Sequence, residues 1–430
     1  PKGSHRPIDR AGFSGQSPHM GGHHAAHPVP TRGLIVMIGL MIALNYIDRG
    51  ALSVAAPLMQ GELGLSATAY GFVVSAFFWT YVPSQVLAGW LADRVSVHRL
   101  MAAGVAIWGL ATLLTGFVGG VASLVALRLL MGLGEGTAFP CASKLIARVP
   151  EESRGTANVA LSAGLSVGPL IGTLVGGALL AAFGWREMFI VFGVATLAWL
   201  LPWAFMGHRI GPAPARGSPV TAVPYPELLR SPRLWAMCAL HFAATYPFYF
   251  VLAWMPLYLV KVRSYDIGQM ALLTALLFLV QALSSAVMAV ACDRLIARGA
   301  AASVVRRRLL FSCLGLAALG IALIPLTHSL ATLIAALVVT AIGFGPVTVV
   351  LFTAGQTLAG PASAGRWIGI QSSVGNLAGI IGPVITGVIV DAVGYEPAFV
   401  LTAIVPLFGG LIFALGVPRI APVSWRTAAA

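Results

Sequence analysis

The sequence predicts an all-α integral membrane protein: twelve transmembrane helices in two pseudo-symmetric six-helix bundles, with both termini in the cytoplasm. Three observations carry this expectation. Only 9% of the 430 residues are charged, against roughly 25% in an ordinary soluble protein, while 58% are hydrophobic and the mean hydropathy is +0.90. So few charges cannot build a water-facing surface, which excludes a soluble enzyme and a disordered chain. Twelve runs of about twenty apolar residues recur along the chain, and the basic residues between them alternate in number from gap to gap. The formal net charge of +13 therefore reads as topology and not as a nucleic-acid surface.

In chain order the runs lie near residues 33–58, 69–92, 99–118, 121–146, 156–182, 186–206, 233–260, 268–291, 308–326, 329–357, 366–391 and 396–417; they are called spans 1 to 12. The N-terminal tail, the gaps 2–3, 4–5, 6–7, 8–9 and 10–11 and the C-terminal tail hold 21 of the 26 Lys and Arg residues, whereas the opposite gaps hold only Arg186, Lys261 and Arg263. Cytoplasmic loops carry such an excess. Arg49 and Arg128 are left over, inside spans 1 and 4. Residues 1–31, with five of the nine His among Gly, Pro and Ser, are expected to be a disordered arm or an expression remnant. An N-terminal bundle is expected over 32–207, a Pro- and Arg-rich cytoplasmic linker over 208–232, a C-terminal bundle over 233–417 and a cytoplasmic tail over 418–430. Cys141, Cys238, Cys292 and Cys313 show no paired spacing, so neither a disulfide framework nor a zinc site is expected.

The halves echo each other. Gly89-Trp-Leu-Ala-Asp93-Arg94 ends span 2 and Ala291-Cys-Asp293-Arg294 ends span 8; Gly168-Pro169-Leu-Ile-Gly172 with Gly184-Trp185 in span 5 matches Gly382-Pro383-Val-Ile-Thr-Gly387 with Gly394-Tyr395 in span 11. Parallel six-helix repeats with a substrate site between them are one way a transporter is built. With these repeats, the segment Gly89 to Arg99 resembles the loop signature of the major facilitator superfamily, although Ser96, Val97 and His98 replace the usual glycine and basic residues. The resemblance implies a gating role for Asp93, Arg94, Asp293 and Arg294.

Span 1 carries Asn45-Tyr46-Ile47-Asp48-Arg49 midway along its apolar run, and span 4 carries Arg128 and Gly132-Leu-Gly134-Glu135-Gly136. An ionised side chain near the bilayer centre costs about 2.5–3.5 kcal/mol on insertion scales, so four of them in two helices point to work. Arg128 and Glu135, seven residues apart, return to nearly the same helix face about 10 Å along the axis. The alternating glycines permit close approach of another helix. Arginine stays protonated and binds a carboxylate through two hydrogen bonds, and a desolvated carboxyl can trade protons. With both acids ionised the four charges cancel, so an entering anion is uncompensated until an acid takes up a proton. That coupling is symport. A static ion-pair network fixing span 1 against span 4 is the plainer alternative.

The same residues, continued by Ala51-Leu52-Ser53-Val54-Ala55-Ala56-Pro57 and by Phe139-Pro140, closely resemble the anion:cation symporter family, which includes proton-coupled galactonate, glucarate and hexuronate transporters. The resemblance runs from about residue 34 to 417. It implies Asp48 and Glu135 as proton carriers, Arg49 and Arg128 as partners of the substrate carboxylate or of those acids, Tyr46 and Tyr81 as substrate contacts, and Asn376 as a contact to sugar hydroxyls. Asn376 also stands out as one of only three asparagines, with Asn45 and Asn158. Gln371 is a further polar candidate in the membrane, and Tyr246 and Tyr249, beside Pro247 in span 7, look like a kinked aromatic gating helix. Leu165 and Thr245-Tyr246 depart from the sugar-acid members, which leaves a less hydroxylated or aromatic acid as an alternative to a sugar acid. A proton-coupled antiporter is the second alternative, because Gly155, Gly164, Gly168-Pro169 and Gly172 keep the spacing of the antiporter signature. The expected partners are a small organic anion, protons and the lipid bilayer. No cofactor, metal site, nucleic acid or catalytic residue is expected, and the family implies a monomer. Arginine outnumbers lysine 23 to 3, compatible with a bacterial inner membrane.

Overall fold

The computed structural model describes residues 31–92, 94–147, 149, 151–207, 223–360 and 363–425. Nearly all of the expected N-terminal arm (1–30), most of the linker (208–222), the last five residues of the expected C-terminal tail (426–430) and the gating candidate Asp93 lie outside them. Because the bilayer offers no partner for backbone N–H and C=O groups, each crossing is a helix that satisfies its own backbone. Among the described residues, twelve helices are long and apolar enough to cross. In the first half these are spans 1 (Thr31–Glu62), 2 (Ala67–Leu91), 3 (Val97–Thr115), 4 (Val121–Ile146), 5 (Thr156–Phe183) and 6 (Trp185–Met206). The second half holds spans 7 (Pro232–Lys261), 8 (Ile267–Ala297), 9 (Ala302–Leu326), 10 (Leu330–Ala359), 11 (Ala364–Val393) and 12 (Tyr395–Gly416).

Helical structure runs past several of the apolar runs, since polar residues such as Glu62 and Arg294 continue a helix at its ends without entering the hydrocarbon. Two interruptions were not legible as such. Span 4 stops as a helix at Glu135 and resumes at Ala138, and span 6 breaks at Trp199 between Trp185–Ala198 and Leu200–Gly207. A short helix, Tyr225–Leu229, precedes span 7 within the expected linker.

Span 1 packs on span 5, span 2 on span 4 and span 3 on span 6; in the second half span 7 packs on spans 11 and 12, and span 10 on spans 8 and 9. The bundles meet where span 2 lies on span 11, span 5 on span 8 and span 1 on span 7. Call the end holding Thr31 and Gly416 the near end and the other the far end. The described contacts between bundles gather at the far end: Tyr70 Oη donates to Ala253 O at 2.9 Å, Ser75 Oγ to Ile380 O at 2.7 Å and Lys261 Nζ to Gln60 Oε1 at 2.5 Å. At the near end Arg94, Asp293 and Arg294 are exposed, with Arg94 lying over the Trp90 ring at 3.9 Å; no ion pair joins these three to another described residue.

The glycines of span 4 serve close packing on two sides. A Cβ at Gly132 would run into the Phe77 carbonyl of span 2, and one at Gly134 would come within 2.7 Å of the Gly104 carbonyl of span 3. Without those clearances span 4 could not carry Arg128 and Glu135 between its neighbours. Gly132→Val is expected to cost about 1–3 kcal/mol by overpacking and to lower the apparent melting temperature of the detergent-solubilised protein by several degrees. Gly365→Val, whose new atoms meet nothing within 4 Å of the Cβ, should leave it unchanged.

Candidate functional site

Successive residues on a helix point about 100° apart, and span 1 uses this to send two neighbouring side chains to different places. Arg49 reaches across to span 4, where its Nε and Nη2 donate to Glu135 Oε2 at 3.1 and 2.7 Å; Nη2 also donates to Asn45 Oδ1, one turn back, at 3.2 Å. Three aromatic rings enclose the guanidinium, Tyr46, Phe77 and Tyr81, with centroids 4.8, 4.9 and 4.6 Å away. A weakly hydrated planar cation is suited to such a cage. Both partners of the ion pair are buried.

Asp48 leaves the opposite way. Its Oδ2 accepts from Trp108 Nε1 of span 3 at 3.1 Å and from Thr196 Oγ1 of span 6 at 2.7 Å, while Oδ1 is buried without a partner. The carboxyl is fully enclosed by the N-terminal bundle. Arg128 differs again. It is 3% exposed, makes no side-chain hydrogen bond to any described residue, and ends in a buried, unpartnered Nη2.

Arg128 and Arg49 line the same small cavity of about 20 Å³ between the bundles, room for about one water. Ser53 adds a hydroxyl, and the remaining walls are apolar or aromatic: Leu52, Val74, Phe77, Phe78, Leu252 and Ala253, with Tyr249 closing the C-terminal side. The Tyr249 hydroxyl donates to Asn376 Oδ1 at 2.9 Å and its ring meets Phe78 at 4.6 Å, so span 11 is tied to the cavity wall through span 7.

The four charged residues take up different contacts. Arg49 and Glu135 form a direct pair, Arg128 stands unpaired, and Asp48 is held apart by spans 3 and 6. Arg49, Arg128, Tyr46, Tyr81, Tyr249 and Asn376 come together around the cavity or one contact from it. Gln371 does not. It lies between Trp367, whose Nε1 donates to it at 3.0 Å, and His241 at 3.4 Å, inside the C-terminal bundle, because five residues along the helix turn it about 140° from Asn376. Tyr246 is likewise directed within that bundle, over Gly382 of span 11. Sequence reasoning passed over Ser53, Phe77, Phe78, Trp108 and Thr196. Trp108 offered a signal: tryptophan favours the membrane interface, yet it stands in the middle of span 3.

Twelve crossing helices, two bundles and a charged cavity between them define a membrane carrier and not an enzyme. The chain belongs to the Major Facilitator Superfamily, whose family profile matches residues 38–371 and 299–430. Among curated relatives it is 32% identical over 399 residues to the probable sulfoacetate transporter SauU of Cupriavidus necator, covering 87% of this chain and 91% of that one. It is 27% identical over 410 residues to the chloroplastic ascorbate transporter of Arabidopsis thaliana, covering 90% and 75%. Among solved structures, an inward-facing, unoccupied bacterial homologue of the human lysosomal transporter Spinster matches with a TM-score of 0.75 at 20% identity, over 90% of this chain and 97% of that one. A point mutant of the nucleoside transporter NupG matches with a TM-score of 0.72 at 12% identity, over 89% and 100%. At these identities the structural likenesses show the fold alone.

The Arg49–Glu135 pair makes a specific demand on mutants. Glu135→Ala leaves a buried guanidinium without its counter-charge, which costs about 3–5 kcal/mol and should produce a large drop in melting temperature. Glu135→Ala combined with Arg49→Met should recover much of that loss, measured as thermal unfolding in detergent.

Proposed function

We propose that the protein is a proton-coupled symporter of a small organic anion, working by alternating access in a cell membrane, with the near end facing the cytoplasm. The observation that carries the reading is Arg128: a guanidinium buried in mid-bundle, without a hydrogen-bond partner, beside a cavity that a second guanidinium also lines. A buried unpaired charge is costly, and an anion is the ligand that would relieve the cost. The excess of Lys and Arg in the near-end loops supports the orientation, and the far-end contacts then close the outer side.

Arg128 binds the anionic group first, with Ser53 within the same wall. Arg49 is occupied by Glu135. A proton taken up by Glu135 discharges that carboxylate and turns Arg49 toward the substrate, so anion and proton enter together. Asp48, whose carboxylate is held by Trp108 and Thr196 away from the cavity, is the second proton carrier and takes no part in substrate contact. The mostly apolar cavity wall, together with a 32% identical relative named as a probable sulfoacetate transporter, favours a short acid with few hydroxyls. A sugar acid is the second reading, favoured by the Tyr249–Asn376 pair at the cavity's edge. Against the antiport alternative, the span 5 glycines have a packing use: Cβ atoms at Gly164 and Gly168 would each come within 2.7 Å of span 1 carbonyls, those of Gly39 and Ala43.

The test is uptake into liposomes under an inward proton gradient, across a panel of short carboxylates and sulfonates, aldonates, uronates, aldarates and aromatic acids. Concentrative uptake of a short acid, abolished by a protonophore, is expected. Accumulation that survives collapse of the gradient would sink the coupling, and transport confined to aldonates would move the substrate to the second reading. Arg128→Lys, which keeps the charge and loses the planar fork, should raise KM about tenfold or more. Asp48→Asn and Glu135→Gln should each stop gradient-driven accumulation while leaving anion exchange; concentrative uptake retained in both would remove these acids from the proton path.

A further inference from the structure

Span 2 begins without a complete cap of its own. Ser66 is its N-cap and accepts from Ala69 N at 3.1 Å, which leaves the N–H groups of Ala67 and Thr68 among the orphan donors of a helix N-terminus. Their acceptor comes from the other bundle. Asp391, near the far end of span 11, accepts from Ala67 N through Oδ1 at 3.0 Å, and from Thr68 N and Thr68 Oγ1 through Oδ2 at 2.8 and 2.6 Å. One carboxylate thus takes three hydrogen bonds from a helix terminus 323 to 324 residues away in the chain.

The second half of the protein shows what the ordinary arrangement looks like. Span 8 is the counterpart of span 2, and it caps itself: Asp266 accepts from Gln269 N at 2.8 Å and donates its own N–H to Gln269 Oε1 at 3.2 Å, a reciprocal capping box. Span 5 is the counterpart of span 11. Aligned on the Gly184 and Gly394 turns, it has Ala181 where span 11 has Asp391. Both helices cap only their third N–H from within, so what sets the span 2–span 11 side apart is the carboxylate that arrives from the other bundle. The approach is close enough to require glycine as well: a Cβ at Gly387 would fall 2.5 Å from the Ala67 carbonyl, and one at Gly71 would run into the Pro383 carbonyl.

A contact can bias a conformational equilibrium only by differing between the two states, and this one differs completely. With the far end closed, the carboxylate sits at the positive end of the span 2 dipole with three donors. When the bundles part there, Asp391 loses all three at once and span 2 loses the cap on two N–H groups. We infer that Asp391 is a gate residue of the transport cycle: it caps span 2 of the opposite bundle when the far end is closed, and so sets how often that end opens. The inference concerns the moving interface and does not depend on which anion is carried.

Paired spin labels measure the equilibrium directly. In protein with the four cysteines replaced, one pair at the exposed far-end positions Phe117 and Leu326 spans the bundles, and a second pair at Val95 and Leu295 does so at the near end. Pulsed electron resonance in lipid nanodiscs is expected to show that Asp391→Asn and Asp391→Ala raise the ratio of far-end-open to far-end-closed molecules about fivefold, with the near-end pair drawing together in the same molecules. Thr68→Val, which removes only the hydroxyl bond, should move the ratio the same way by about twofold and serves if the Asp391 variants fold poorly. Unchanged distances at both pairs in these variants would overturn the inference. So would a lowered melting temperature with no reciprocal movement, because that is the behaviour of a contact that only fastens the fold.

Discussion

The ion pair between Arg49 and Glu135 is the interaction on which the rest of the N-terminal bundle depends. Two full charges in mid-membrane are tolerable only when geometry is good and no lone charge is left behind. That requirement explains the bidentate approach to one carboxylate oxygen, the amide of Asn45 and the three surrounding rings. It also explains the backbone around it. Span 4 must come near enough to spans 2 and 3 to hold Glu135 opposite Arg49, and the glycines at 132 and 134 supply the clearance. The helix breaks immediately after Glu135, so the far part of span 4 is fixed by this packing while the Ala138–Ile146 part follows its own neighbours.

Beside that pair, Arg128 is conspicuous. It lies on the same helix as Glu135 and is buried to a similar degree, yet its side chain hydrogen-bonds to no described residue. A protein built only to hold spans 1 and 4 together would have no use for a third charge. One hydrogen-bonded and one unbonded guanidinium thus line the same cavity, and that difference is the basis of the anion-binding role proposed above. The separate cradle of Asp48, built from Trp108 and Thr196, sends two adjacent polar side chains of span 1 to different neighbours.

Much of the fold was legible because the bilayer reduces it to a length and a composition. A run of apolar residues must be a helix, and all twelve runs were. The candidate residues could be picked out for a related reason: polar groups in the membrane are expensive enough that Asp48, Arg49, Arg128, Glu135 and Asn376 stood out individually. Direction was not. Whether Asp48 faces the cavity or spans 3 and 6 is decided by the rotation of one helix within its bundle, and the residues that receive it are 60 and 148 positions away. Gln371 and Asn376 share a helix and a chemistry, but five residues of rotation give one to the interior of its bundle and the other to Tyr249 at the cavity's edge. The loan of Asp391 to span 2 was invisible for the same reason, since nothing local marks a cap that arrives from another element.

The two bundles are alike in helix count and unlike in charge. The four acidic and basic residues near mid-membrane all belong to spans 1 and 4, and the interior stretches of spans 7 to 12 carry no Asp, Glu, Lys or Arg. A bound anion would therefore travel as passenger of one rigid body, while the other presents it with rings, amides and carbon. The C-terminal face of the interface is uncharged at its centre, and among the described residues no mid-membrane salt link joins the two bundles. In the alternating-access cycle proposed above, parting the bundles would have to release packing and the far-end hydrogen bonds and would break no salt link among the described residues, so salt concentration should have little grip on it.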